Sequence, residues 1–452
     1  MPWAGPDTLA PLTTAPARVP VSATLAANEA LAVRRRLGKP VLPLAFGEAG
    51  LPVAAVLRDA LAAAAGRGGY GPVAGLPELR AAAAGYWDRR GLATGAGSVV
   101  CGPGSKPLLF GLLLAIGADV ALPRPSWVSY AAQAGLTGTR AHYVPVPRGE
   151  GGICDPGQLE LAVAAARAQG RRIGSVIVTL PDNPTGQVAA RGTVRALCEV
   201  AARHDLIIIS DEIYRDLIYD AAAPVTSPAT IAPERTVITT ALSKSLALGG
   251  WRIGAARLPA SELGIDLRDR LLGICSEIWS APPVPIQHAA AYAFGEPAEI
   301  TKRVARSRSL HATVARAAAD VFAAAGLLVP APHAAFYLYP DFEPWREHLR
   351  DRIGITTGSQ LARHLLDRYG TGVLPASAFG EDERALRMRV ATGLLYGDSD
   401  AQREAALGSD DPLSLPWISA SLSQLRNVLA DLGPQAGPRP VLVPAAAGTR
   451  LY

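Results

Sequence analysis

Lys244 lies in Ser243-Lys244-Ser245, just past the apolar run 236–240, with Gly249-Gly250-Trp251-Arg252 downstream. An amine set among hydroxyls can attack a carbonyl or carry a proton once its charge is relieved. Three more clusters stand directly after apolar runs. Pro181-Asp182-Asn183-Pro184-Thr185-Gly186 follows 175–180 and offers an amide. Asp211-Glu212-Ile213-Tyr214 follows 206–210 and offers a carboxylate and a phenol. Gly102-Pro103-Gly104-Ser105-Lys106 follows 99–101 and opens an apolar helical stretch, a pattern whose backbone N–H groups can hold an anion. Trp127, after the run 120–122, adds an aromatic face.

One ligand, pyridoxal 5′-phosphate, uses that whole set. Its aldehyde needs a lysine for a Schiff base, the part Lys244 suits. Its pyridine nitrogen needs a carboxylate that keeps it protonated, so that the ring can accept electrons, and Asp211 at a strand tip meets that need. Asn183 and Tyr214 supply donors to the ring oxygen O3′. Gly104, Ser105 and Lys106 open a helix for the phosphate, Ser243 adds a hydroxyl and Arg252 a fixed charge. Trp127 stacks on the ring. Plainer readings exist for each: an Asp after a strand is often a helix N-cap, and a Trp is often core. Lysine is scarce here, 4 of 44 basic residues. Lys39 sits in a connector, Lys302 beside Arg303 on a solvated helix, and Lys106 in the anion loop, which leaves Lys244 for the covalent role. The seven histidines have no ligand spacing, and no metal site is expected.

These clusters need a scaffold that brings strand ends together. The five apolar runs alternate with stretches of helical period, such as 158–170 and 191–204, which predicts βαβ units and a mostly parallel sheet. Ligands of such sheets sit at the carboxyl ends of the strands. A long charged helix is expected over 300–325, and 336–339, 372–374 and 386–392 read as strands of a smaller α/β unit. The organisation expected is a Pro- and Ala-rich mobile arm (1–20), an N-terminal segment of the small domain (21–45), a large domain (46–300), a small C-terminal domain (301–432) with a polar, turn-rich insertion at 397–416, and a tail (433–452). Of the 452 residues 49% are hydrophobic and 18% charged, which excludes an extended disordered chain. The net charge of +5 is spread without a long basic run, so no nucleic-acid surface is expected. The N-terminus lacks a basic and then apolar leader pattern, and 108–122 is too short and carries Asp119. Four scattered cysteines fit a reducing compartment. A soluble, cytoplasmic protein with no membrane partner is expected.

The motifs YGPVAGLPELR (70–80), PRPSWVSY (123–130), PDNPTG (181–186), SDEIYRDLIY (210–219), SKSLALGGWRIG (243–254), AAFYLYP (334–340) and LRMRVAT (386–392) occur in this order. On them the chain resembles the class I/II aminotransferases, the aspartate-aminotransferase-like group of fold type I pyridoxal-phosphate enzymes, over roughly residues 40–395. The resemblance implies a large α/β domain whose seven-stranded, mostly parallel sheet is sandwiched by helices, with a smaller α/β domain formed by the N-terminal segment and the C-terminal part. It implies transfer of an amino group from an α-amino acid to a 2-oxo acid through Lys244, with Asp211 and Tyr214 assisting. It further implies that Tyr70 reaches the phosphate of a neighbouring subunit, hence a homodimer with shared active sites, and that Arg387 binds the substrate α-carboxylate with Gly47 and Asn183 nearby. Arg387 and Arg389 point the same way on a regular strand; the register favours Arg387 and leaves Arg389 open.

The chain departs from the family pattern at Ala241, where Gly or Ser is usual, in the loop 46–50, which lacks the Pro-Asp-Phe continuation, and at 397–416. Such changes leave room for other carbanion chemistry on the same cofactor: elimination or replacement at the β or γ carbon, C–C bond formation, or oxidation. A non-catalytic regulatory module is a third reading, although only about 40 residues precede the enzyme-like region. The side-chain pocket stays open among an arginine, Trp279, Tyr337 and Phe46.

Overall fold

The computed structural model describes residues 21–220 and 225–434. The expected N-terminal arm and nearly all of the expected tail lie outside the described residues. Seven strands form the main sheet: β1 (Val99–Gly102), β2 (Asp119–Arg124), β3 (Ala141–Pro145), β4 (Ile173–Thr179), β5 (Ile207–Asp211), β6 (Thr236–Ala241) and β7 (Gly254–Arg257). Their spatial order is β1-β7-β6-β5-β4-β2-β3. All run parallel except β7, which is antiparallel to both of its neighbours.

The buried strands read as continuous apolar runs because helices cover both faces. Alternation sends Val176 and Val178 of β4 into one core, with Leu159 and Val163 of helix Pro156–Ala168 and Val194 and Leu197 of helix Arg191–Arg203. Ile177 points into the opposite core, with Leu109 and Leu113 of α2 (Ser105–Ile116) and Leu267 and Leu271 of helix Glu262–Ile278. Burial of each such Val, Ile or Leu contributes roughly 1.5–3 kcal/mol. Two strands went unpredicted. Gly254–Arg257 is Gly, Ala, Ala, Arg, with little β propensity, and is buried through its position between β1 and β6. Ala141–Pro145 is a half-exposed edge.

Past the long helix α4 (Ala298–Ala324), β8 (Tyr337–Leu338), β9 (Leu374–Pro375) and β10 (Met388–Ala391) form a second sheet in the order β9-β10-β8, antiparallel throughout. Leu42–Pro43 pairs in parallel with Thr371–Gly372, tying the segment after helix α1 (Ala23–Arg36) to the C-terminal part of the chain. The stretch 397–416, read as turn-rich, contains a helix, Asp400–Gly408. Its start is set by a capping box in which Ser399 accepts from the Gln402 backbone and the Gln402 side chain answers the Ser399 N–H. Among the described residues no helix is long and apolar enough to cross a membrane.

Candidate active site

The carboxyl ends of β1, β4, β5 and β6 open on a cavity of about 560 Å³, a size usual for small-molecule sites. Lys244 enters it from α3 (Leu242–Ser245), the single helical turn after β6. Its amine donates to the Gly47 carbonyl and lies 5.9 Å from the centre of the Tyr214 ring. Loss of hydration, reinforced by Arg389, lowers this amine to about 8, so a fraction is uncharged and nucleophilic near neutrality.

Asp211 is buried at the tip of β5. Tyr130 Oη donates to its Oδ2 at 2.8 Å, and Thr239 Oγ1 to its Oδ1 at 3.3 Å. Burial outweighs these donors and raises the carboxyl to about 6. Asn183, carried by the loop after β4, donates from Nδ2 to Tyr214 Oη at 3.4 Å and accepts at Oδ1 from Arg389 Nη1 at 3.2 Å. On another wall, Ser105 and Lys106 begin α2 beside Arg252 and Ser243. Gly104 caps that helix with φ +88°, and any Cβ there would collide with the Arg252 guanidinium, so glycine is what allows the arginine to close over the helix start. Trp127 meets Tyr130 edge-on at 5.2 Å and has the Lys106 amine 5.1 Å from its ring centre.

The charge balance of this cavity is uneven. Among the described residues Arg389, Arg252 and Lys106 have no carboxylate within ion-pair distance. Arg389 is 1% exposed and its Nε has no hydrogen-bond partner among the described residues. A buried guanidinium without an acid is costly unless an anion joins it. The cavity therefore offers positive charge that an anionic ligand can balance.

The sequence profile of the family described as Aminotransferase class I and II matches residues 39–394. The chain belongs to that family. It is similar to an aspartate/prephenate aminotransferase of Cereibacter sphaeroides, 33% identical over 377 residues that span 80% of this chain and 90% of the relative. A probable aspartate/prephenate aminotransferase of Thermus aquaticus is 30% identical over 367 residues, 78% of this chain and 92% of the relative. The solved aspartate aminotransferase from Thermus thermophilus with maleate superposes with a TM-score of 0.76 at 27% identity, covering 91% of this chain and 97% of that one. The chain is an aminotransferase, with the fold type I architecture of its neighbours.

In this aminotransferase Gly47, Ser105, Lys106, Trp127, Asn183, Asp211, Tyr214, Ser243, Lys244 and Arg252 all face one cavity, and Gly104 abuts it through Arg252. Tyr70 does not line the cavity of its own chain and is 97% exposed. Arg387 falls outside this set. Its guanidinium pairs with Glu381 at 2.5 Å and Asp341 at 3.6 Å, outside the cavity, whereas Arg389 lines it. Two residues along a strand shift a side chain by about 6.6 Å. Arg387 lies just before the first residue of β10, that step away from Arg389, and is not among the residues lining the cavity.

Sequence reasoning also missed Tyr130, whose hydroxyl bridges Thr179 Oγ1 (2.9 Å) and Asp211. The available signal was its place in PRPSWVSY, three residues past Trp127 and so on the same side of helix Val128–Leu136. Tyr130→Phe removes a donor from the ionised form of Asp211, so the Asp211 pKa rises further above about 6. The acid limb of the pH–rate profile is expected to move up by about one unit, which lowers kcat at pH 7 roughly twofold and at pH 5 to 6 by about five- to tenfold. Steady-state rates from pH 5 to 8 check this, and an unmoved acid limb counts against it.

Proposed function

We propose that this aminotransferase works with pyridoxal 5′-phosphate held by Lys244, and that it moves the amino group of an α-amino acid to a 2-oxo acid in two half-reactions at one site. The observation that supports the reading best is the set of three unpaired cations arranged around a lysine of lowered pKa, with a buried carboxyl opposite. When bound, pyridoxal phosphate supplies a carbonyl that takes up the substrate amine and a ring that accepts the electron pair released at the substrate Cα.

The chain's own residues then have distinct tasks. Arg252, Ser105, Ser243 and the first turn of α2 bind the phosphate, where fixed charge and free backbone N–H groups coincide. Asp211, braced by Tyr130 and Thr239, holds a proton at the ring nitrogen. Asn183 and Tyr214 donate to the ring oxygen, and Trp127 offers its face to the ring. Lys244 moves a proton at the substrate Cα, a task suited to an amine titrating near 8. Arg389 binds the α-carboxylate as a planar fork, with the Ala45 carbonyl and Asn183 fixing its orientation. Tyr70, unused in its own chain, reaches the phosphate of a second copy in a homodimer with shared sites.

Counting cations narrows the substrate. Arg252 serves the phosphate and Arg389 the α-carboxylate, which leaves Lys106, beside the phosphate wall, to attract a side-chain carboxylate as well. The relatives named for aspartate and prephenate agree with an acidic substrate. The test follows single half-reactions with aspartate, glutamate, alanine and phenylalanine as donors and 2-oxoglutarate or pyruvate as acceptors. Acidic donors are expected to lead. Lys106→Met is expected to lower kcat/KM for aspartate roughly 30–100-fold and for alanine less than fivefold, the loss of one charge-assisted contact. No amino transfer between any pair, with nitrogen retained in the product, would sink the reading.

A further inference from the structure

The hydroxyls of Tyr214 and Tyr337 lie 2.8 Å apart, and both side chains are buried. They reach the cavity from different elements, Tyr214 from the turn after β5 and Tyr337 from β8. A phenol has one proton to give and two lone pairs to fill. Asn183 Nδ2, which can only donate, already approaches the Tyr214 oxygen at 3.4 Å. A second donation from Tyr337 fills the other lone pair and leaves the single Tyr214 proton free for the cavity. In the reverse arrangement Tyr214 spends that proton on Tyr337.

The charges around the pair select between the two. The Arg389 guanidinium carbon stands 5.2 Å from the Tyr337 ring centre, and a cation so placed makes that phenol the more acidic partner and hence the better donor. Arg389 acts against the burial that raises both phenols. The other titratable groups facing the pair are Asp211 toward Tyr214, Asp182 toward Tyr337, and Lys244 over the Tyr214 ring. The Tyr337 hydroxyl lies against Gly47, where any Cβ would strike it, so glycine is what admits the phenol at this place.

We propose that Tyr337 is a positioning residue for the transfer reaction: its hydroxyl donates to Tyr214 and so reserves the Tyr214 proton for the ring oxygen of pyridoxal phosphate. The inference rests on the cofactor reading above and adds a residue to it. A bond donated to the ring oxygen favours the form in which that oxygen is charged, and therefore lowers the pKa at which the bound chromophore titrates.

The experiment is a pH titration of the visible absorbance of the pyridoxal-phosphate-loaded protein, wild type against Tyr337→Phe, Tyr214→Phe and the double variant. Phenylalanine keeps the ring and its packing on Arg389, so a purely structural role leaves the titration where it was. Tyr337→Phe is expected to raise the chromophore pKa by about 0.5–1 unit, and Tyr214→Phe by more. The double variant is expected to match Tyr214→Phe alone, because Tyr337 acts through Tyr214. A Tyr337→Phe titration identical to wild type, with Tyr214→Phe shifted, overturns the proposal and leaves the cofactor reading standing; so do shifts that simply add in the double variant. A protein that takes up no pyridoxal phosphate overturns both.

Discussion

Replacement of Lys244 by alanine is expected to lower the rate of amino transfer by at least about 10⁴-fold, the upper range of what one positioned proton carrier contributes, before the loss of covalent attachment is counted. The amine is set apart by its surroundings. It is desolvated, it lies near Arg389, and it titrates near 8 rather than at the usual lysine value. Lys106 shares the cavity but lies against Trp127, in the field of Arg252, whereas the contacts with Gly47 and Tyr214 are made by Lys244. Lys244→Arg separates charge from reactivity: it keeps the positive charge, cannot lose it in this pH range, and is expected to be as inactive as the alanine variant. Borohydride reduction of the loaded wild type followed by peptide mass analysis should place the cofactor on residue 244. More than about one hundredth of wild-type activity in Lys244→Ala, or a label on Lys106, would refute the assignment.

The second large effect distinguishes two arginines that the sequence leaves side by side. Arg389→Gln is expected to lower kcat/KM by roughly 10²–10⁴, since two charge-assisted hydrogen bonds to a carboxylate are each worth about 1.5–3 kcal/mol. The loss should appear for every amino donor, because the α-carboxylate is common to all of them. Arg387→Gln is expected to change kcat/KM by less than about threefold. Arg387 is 41% exposed and committed to Glu381 and Asp341, and partly exposed pairs of this kind contribute at most about 1 kcal/mol. Steady-state kinetics with aspartate and alanine on both variants decide the matter. A severe defect in Arg387→Gln beside a mild one in Arg389→Gln would overturn the site geometry.

Much of the large sheet was legible beforehand. The runs at 99–101, 120–122, 175–180, 206–210 and 236–240 are apolar on both faces, and helical period separates them, so a parallel sheet covered on two sides follows directly. The helices expected at 158–170, 191–204 and 300–325 are found as Pro156–Ala168, Arg191–Arg203 and Ala298–Ala324. What escaped was whatever tertiary context creates. Gly254–Arg257 becomes a strand because β1 and β6 flank it. The helix inside 397–416 depends on a capping box among otherwise polar residues, and it is held down where Arg303 of α4 reaches both Glu404 (3.1 Å) and the Pro52 carbonyl (2.5 Å).

Local order along the chain was enough to determine the chemistry on offer: an amine, a carboxylate, an amide, a phenol and an anion cradle, each at the end of a strand. In a parallel sheet those ends necessarily gather on one edge. The folded protein alone decided which groups complete the set. Arg387 and Arg389 are equivalent by alternation and became different only when Glu381 and Asp341 claimed the first and the cavity took the second. Tyr130 and Tyr337 gained their parts from partners far along the chain, Asp211 and Tyr214. A hydroxyl's role depends on which single atom lies within about 3 Å of it, and periodicity does not encode that distance.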